Sequence, residues 1–149
     1  MGLTETERGR LFKVWDSVWN RYEEVGWASL SEAEQTFYAA WHFESEVNSG
    51  GLESYYFNSG GDHALDAPDA LKRIGAPQLA AVLEEANGMF PGGPPPRDID
   101  ERQDRMDTLG DDIYTLWEKQ DDRVFNRTEP TEELLWAYYQ NNRDDFGAS

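Results

Sequence analysis

The two histidines mark the part of this chain where metal binding or acid–base chemistry would be expected. His42 and Glu46 are four residues apart in a predicted helix, so they share a face, as metal ligands can. Asp62 and His63 follow a pair of glycines and are candidates for further ligands. A His-x-x-x-Glu spacing is a common accident in a chain with 30 acidic residues, which favours a structural role. A hydrolase or metal-dependent site between Glu46 and His63 stays an alternative.

Other catalytic motifs are absent from the sequence. The chain has no cysteine, which excludes disulfides, thiolate metal ligands and a cysteine nucleophile. It has no GxSxG elbow, no phosphate-binding P-loop, no dinucleotide fingerprint and no zinc motif. We therefore predict no catalytic residue, no cofactor and no bound metal, and a protein that is not an enzyme.

The most organised part of the sequence is EVNSGGLESYYFNSGG, residues 46–61. Each half ends in a glycine pair with an asparagine just upstream, and three aromatic residues lie between the two pairs. Glycines permit sharp reversals and aromatic side chains can enter a core, so the pattern predicts a helix–corner–helix–corner unit. We assign a structural role in this unit and its flank to Glu46, Asn48, Gly50, Gly51, Tyr55, Asn58, Gly60 and Asp62.

These residues must be positioned by helices, because apolar residues recur at helical spacing along most of the chain. A Ser31–Glu34 capping box predicts the start of one helix. The segment PGGPPPRD, residues 91–98, suits neither a helix nor a central strand, so it predicts a surface crossover. We expect an all-α fold: one domain, 1–149, formed by a bundle of six or seven helices. The predicted helices are 4–24, 31–47, 52–58, 67–74, 77–87, about 98 to 117 or 120 with Gly110 as a weak point, and a last one that Thr131 caps.

Glu44 lies on the apolar side of the helix predicted at 31–47, three residues after Trp41. A buried carboxylate needs partners. The amides of the following glycine turn are one candidate, and Arg102 is another. Exposure at a frayed helix edge is the alternative. Whether Glu44 or Glu46 is buried against the glycine-turn amides is left open by the sequence.

The chain is strongly acidic, with a formal net charge of −17 spread over its whole length. Such a surface repels nucleic acid and anionic membrane and attracts basic proteins. No apolar stretch of about 18 residues is present. We therefore expect a cytoplasmic protein without direct nucleic-acid binding or membrane contact. Solubility and adaptation to a salty cytoplasm are alternative reasons for the acidity.

The clearest acidic pattern is the series Asp100, Asp104, Asp107 and Asp111, spaced i, i+4, i+7, i+11. In one continuous helix these residues form a stripe that advances about 4.5–6 Å per step. That step is coarser than the ~3.4 Å rise between phosphates on one DNA strand. A solvated outer face, which amphipathic helices usually have, is the alternative interpretation. The predicted binding surface consists of Asp100, Asp104, Asp107, Asp111 and Asp112, with Glu84 and Glu85 as weaker support.

Three segments together resemble a known family: EVNSGGLESYYFNSGGDH (46–63), ALKRIGAPQLAAVLEEA (70–86) and FPGGPPPRDIDER (90–102). The family is a bacterial domain of unknown function that includes DNA-mimic protein nineteen. The chain departs from the family pattern at Leu52, where an aromatic residue is usual, and near residues 54–57. The resemblance implies an all-helical fold and, for the studied member, an acidic surface that occupies the DNA-binding face of a transcription factor. The matching positions are mostly Gly, Asn, Tyr and Leu, so the motif designates no particular acidic residue.

The leading hypothesis is an acidic, non-enzymatic binding protein that mimics DNA. Its partner would be a basic, DNA-binding protein such as a transcription factor. The sequence leaves open whether the protein itself forms a homodimer. Besides the hydrolase or metal-dependent site, the alternative is an acidic protein-interaction domain unrelated to DNA mimicry.

Overall fold

The computed structural model describes residues 2–147, and over this range the chain forms helices and turns with no β-strand. The all-α prediction is confirmed, with seven α-helices of two turns or more and one short helical turn, α6. The helices are α1 (Glu5–Val25), α2 (Glu32–Phe57), α3 (Ala67–Ile74), α4 (Pro77–Gly88), α5 (Ile99–Asp107), α6 (Ile113–Leu116), α7 (Glu118–Phe125) and α8 (Thr131–Asn141).

Capping boxes start the two longest helices. The Thr4 hydroxyl accepts a hydrogen bond from the amide of Glu7 at 3.1 Å, and the Glu7 carboxylate accepts one from the Thr4 amide at 2.9 Å. Ser31 and Glu34 form the same reciprocal pair at the start of α2, as the sequence predicts. A cap of this kind stabilises a helix by about 1 kcal/mol. The last helix differs from the prediction, because α8 begins at Thr131 itself and has no side-chain cap.

Helix α2 is the centre of the bundle and packs against α1, α3, α5, α7 and α8. Its inner residues Phe37, Ala40, Phe43 and Val47 are fully buried. On the α1 side, Trp15 stacks on Trp41 with the ring centroids 5.4 Å apart. The core is therefore built around one helix that the others surround.

A kink at Gly50 and Gly51 divides α2 into the two helical segments that the sequence predicts. Gly51 has φ = 76°, a left-handed conformation that suits glycine. The amide of Leu52, which follows the kink, donates to Asp121 Oδ1 of α7 at 2.8 Å. Asp121 therefore caps the second segment from a distant part of the chain, and neither Glu44 nor Glu46 does so.

The single helix predicted from about residue 98 to residue 120 is wrong. Helix α5 ends at Asp107, Gly110 has φ = 54°, and α6 and α7 follow as separate pieces. The break lets Trp117 turn inward, where its ring lies 4.6 Å from that of Tyr56. Its indole Nε1 donates to the carbonyl of Ala86 at 3.1 Å. Burial of this side chain offsets the loss of helical hydrogen bonds around Gly110.

The second glycine corner is tight enough to exclude a side chain at Gly61. A Cβ atom there would lie 2.8 Å from the carbonyl oxygen of Tyr55 and 2.9 Å from Cα of Tyr56. We expect Gly61→Ala to lower the free energy of unfolding by about 1–3 kcal/mol, because backbone must move to admit the methyl group. Urea-induced unfolding measures this change.

Gly9 provides the matched control for this substitution, since it lies within α1 and a Cβ there would have nothing within 4 Å. Gly9→Ala should stabilise the protein by up to about 1 kcal/mol, because alanine is the better helix former. Equal effects of the two substitutions would contradict the close packing at Gly61.

Candidate functional site

The guanidinium group of Arg102 lies at the centre of the glycine-rich corner. This α5 side chain is fully buried, and its Nη2 atom lies 2.9 Å from Asp62 Oδ1. All its nitrogens donate to backbone carbonyls of the α2 end and of the Pro-rich crossover, so Arg102 joins three segments. The acceptors are the carbonyl oxygens of Tyr56 (2.8 Å), Asn58 (2.8 Å), Arg97 (2.8 Å) and Pro96 (3.1 Å).

Glu44 is partly buried and has an arginine partner, as one of the two alternatives predicts, but that partner is Arg127 and not Arg102. The two side chains are 13% and 16% exposed and form an ion pair across 83 residues of sequence. Asn48 adds a hydrogen bond to Glu44 Oε1 at 3.3 Å. Burial raises the pKa of Glu44, and the charge of Arg127 acts against that rise. The predicted Arg102 contact is wrong because Arg102 is occupied at the glycine corner.

Of the residues proposed for a metal-dependent site, His42 and Glu46 face each other with Nε2 and Oε1 3.7 Å apart, as their spacing predicts, but the others lie in separate networks. Glu46 accepts from Asn58 Nδ2 at 3.2 Å, whereas Asn48 bonds to Glu44. Asp62 faces Arg102. Among residues 2–147 no group of three or more histidine, aspartate and glutamate side chains is arranged to hold a metal ion. The geometry therefore gives the metal alternative no support.

Both histidines lie inside an aromatic cluster formed by α1 and α2. His63 Nε2 lies 3.0 Å from the Tyr22 hydroxyl, and its ring stacks on Trp27 at 3.9 Å. Burial lowers the pKa of His63, and burial together with the nearby His63 lowers the pKa of His42 to about 4. Both imidazoles are therefore neutral near pH 7. His42 packs among the aromatic rings, and His63 additionally has Nδ1 3.3 Å from Asp66 Oδ2.

The five predicted aspartates are all exposed, but the break at Gly110 divides them. Three lie on α5, and the other two lie in the turn that follows it. None of the five forms an ion pair with any residue in the range 2–147. We call this set the acidic face: Asp100, Asp104, Asp107, Asp111 and Asp112.

Two of the basic side chains near the acidic face point away from it. Residues 98–122 contain ten acidic and three basic residues. Arg102 is buried, and Arg105 bonds to Glu101 at 3.0 Å and to the carbonyl of Pro94 at 3.2 Å. Lys119 is exposed on α7. The negative charge of the acidic face is therefore left largely uncompensated.

Glu84 and Glu85 are exposed on α4, but each has a cationic partner. Glu84 Oε1 lies 3.3 Å from Lys72 Nζ, and Glu85 pairs with Arg123 of α7. Their charges are partly neutralised, which makes them weaker contributors than the acidic face.

Sequence reasoning missed the acids of α7. Glu118 and Asp122 are exposed, and together with burial their charges raise the pKa of Asp121. The i, i+4 spacing of Glu118 and Asp122 could have indicated that both acids lie on one face of a helix. No local pattern indicates that Asp121 caps the segment after Gly51, 70 residues earlier.

No helix within residues 2–147 has the length and apolar content needed to cross a membrane. These observations define the class as an all-helical acidic protein with an outward-facing acidic segment whose aspartates have no ion pair within residues 2–147. Residues 28–142 match the model of the DMP19-like protein family, and the chain belongs to that family. The matched range contains all three segments that carry the resemblance noted in the sequence. No curated protein and no solved structure matches the chain.

Proposed function

We propose that this protein is a non-enzymatic DNA mimic whose acidic face occupies the DNA-binding surface of a basic protein. The observation that carries the proposal is the set of five exposed aspartates that form no ion pair within residues 2–147, on a segment where Arg102 is buried and Arg105 is turned aside. Membership of the DMP19-like family is consistent with this role.

The spacing of the acidic face suits a row of cationic side chains rather than a single ion. Asp100, Asp104 and Asp107 follow one another along α5 in steps of about 6 and 4.5 Å. Asp111 and Asp112 lie beyond the helix end, in the turn where Gly110 redirects the chain. The steps along α5 are coarser than the ~3.4 Å rise between phosphates on one strand, but lysine and arginine side chains are long and flexible enough to meet charges spaced in this way.

Binding by such a face is governed by long-range electrostatics. Opposite charges accelerate encounter of the two proteins, and exposed pairs are screened over about 8 Å at physiological salt. The complex should therefore weaken steeply as salt concentration rises, as complexes with DNA do.

Neutralising the acidic face should weaken partner binding without unfolding the protein. The variant replaces Asp100, Asp104, Asp107 and Asp111 by asparagine. Each exposed pair contributes about 0.2–1 kcal/mol, so four losses should lower the affinity by about fourfold to several hundredfold. Titration of the partner at several salt concentrations should also show a flatter dependence of affinity on salt.

A matched control changes the same number of charges on a different surface. Glu5, Asp16, Glu23 and Glu24 are exposed residues of α1, and we replace them by glutamine or asparagine. This control should keep most of the affinity, whereas an equal loss in both variants would show that only net charge matters. Unchanged affinity and salt dependence in the α5 variant would exclude the acidic face as the binding surface.

The partner itself can be sought by low-salt capture from a native lysate, followed by elution with duplex DNA. The proposal predicts release of a basic DNA-binding protein that the acidic-face variant does not capture. A partner that duplex DNA fails to displace would instead support an acidic interaction domain unrelated to mimicry.

A further inference from the structure

The basic residues of this acidic protein are unevenly engaged. Nine of the 13 lysine and arginine side chains form ion pairs with carboxylates, and Arg102 is one of the nine through Asp62. Within residues 2–147 the four without such a partner are Arg10, Lys13, Lys119 and Arg143.

Three of those four line the same cleft. It is an open cleft between α1 and α8 with a volume of about 520 Å³, and Arg143, Phe146 and Gly147 also line it. Arg10 and Lys13 enter it from α1, and Arg143 enters it from the turn after α8. The whole chain has a formal net charge of −17. A cleft lined by three cations that have no carboxylate partner within residues 2–147 is therefore unusual for this protein.

Aromatic rings form one wall of this cleft. Trp136 and Tyr139 of α8 have ring centroids 5.7 Å apart, and Phe146 meets Tyr139 edge-on at 5.0 Å. The guanidinium carbon of Arg143 lies 5.6 Å from the centre of the Tyr139 ring. Trp136 is mostly buried, so the partly exposed rings of Tyr139 and Phe146 provide the accessible apolar surface beside this cation.

Among the described residues 2–147, Glu34 is the one carboxylate that lines the cleft, and it does not neutralise these cations. Glu34 is buried and accepts hydrogen bonds from the amides of Ser31 at 2.9 Å and Gly147 at 3.0 Å. It also pairs with Arg21 at 2.9 Å. Burial acts to raise the pKa of Glu34, but these partners outweigh it and lower the pKa, so the group is ionised and already satisfied.

We propose that the cleft between α1 and α8 binds a small organic anion that carries its charge on a flat ring. Its volume falls within the range of about 300–1,000 Å³ that is typical of small-molecule pockets. The aromatic wall provides contact area for the ring, while Arg10, Lys13 and Arg143 receive the carboxylate or phosphate. This site belongs to different helices from the acidic face, so it is independent of the function proposed above.

Isothermal titration calorimetry at low salt tests the site with four probes. Adenosine monophosphate and indole-3-acetate each combine a ring with an anion, inorganic phosphate lacks the ring, and adenosine lacks the charge. We expect at least one combined probe to bind with a Kd below 1 mM and at least tenfold more tightly than phosphate and adenosine. Preference between the two combined probes separates a nucleotide ligand from an aromatic carboxylate.

The cation variant Arg10→Gln, Lys13→Gln, Arg143→Gln should lose at least tenfold in affinity for the combined probe. Its matched control, Lys72→Gln, Arg73→Gln, Lys119→Gln, removes three charges elsewhere and should lose much less. The bound probe should also shift the indole N–H resonance that Trp136→Phe removes from the NMR spectrum. Thermal unfolding verifies that each variant is folded.

Three results would overturn the proposal. The first is that no combined probe binds below 1 mM, and the second is that both triple variants lose affinity equally. The third is that hexaglutamate, an acidic peptide without rings, binds more tightly than either combined probe, which would make the cleft a peptide-docking site.

Discussion

Replacing Arg102 by methionine is expected to lower the free energy of unfolding by about 3–5 kcal/mol, the largest effect of any single change predicted for this protein. Methionine fills most of the space but donates no hydrogen bond. The substitution would leave Asp62 without its cation and four backbone carbonyls without their donor. Each buried acceptor left unpaired costs about 1–3 kcal/mol before relaxation. Urea-induced unfolding, followed by far-UV circular dichroism, measures the loss.

Arg105 is the matched control, because it lies on the same helix and donates to carbonyls of the same crossover from a more exposed position. Arg105→Met should cost no more than about 1 kcal/mol. If the two methionine variants were equally stable, the network around Arg102 would contribute nothing beyond a surface contact. A variant of Arg102 too unstable to purify would agree with the prediction, and Asp62→Asn then offers a milder test of the same network.

The second large effect is a loss of stability in mild acid that depends on His42. Its pKa is about 4 in the folded protein, mainly because it is buried, against an ordinary value of about 6.5 when unfolded. Between these values the unfolded chain takes up a proton that the folded chain does not. Stability therefore falls as pH falls through this window, and we expect a loss of about 2.5 kcal/mol from pH 7.5 to pH 4.5 from this group.

His42→Gln isolates that contribution, since carboxylates and His63 titrate in both proteins. The free energy of unfolding should be measured at intervals between pH 7.5 and 4.5 for wild type and variant. The variant starts from a lower stability but should decline less steeply, with the two curves converging towards acid. Parallel curves would mean that His42 is protonated as easily in the folded protein as in the unfolded chain.

Local sequence signals predicted most of the helices correctly. The Ser31–Glu34 capping box and the backbone kink at Gly51 each depend on only a few neighbouring residues. Both can therefore be identified without knowledge of the fold. The predicted helix through Gly110 failed because tertiary burial of Trp117 outweighed a continuous amphipathic pattern.

Side-chain partners across the bundle were much less accessible to sequence reasoning. The Glu44–Arg127 ion pair and the Asp121 cap depend on contacts 83 and 69 residues apart in the chain. The outward position of the α5 aspartates was predictable from helical periodicity, whereas their lack of counter-ions was not. That lack follows from where Arg102 and Arg105 find their acceptors, which only the folded chain determines.

The attachment of α5 through Arg102 has a consequence for the entropy of association. The helix that carries Asp100, Asp104 and Asp107 on its outer side is fixed from its inner side by a side chain with five oxygen partners. The backbone beneath those charges is thereby immobilised before any partner arrives. A partner would then restrict only the short aspartate side chains. The loss of conformational entropy in this protein on binding would therefore be small compared with the electrostatic attraction.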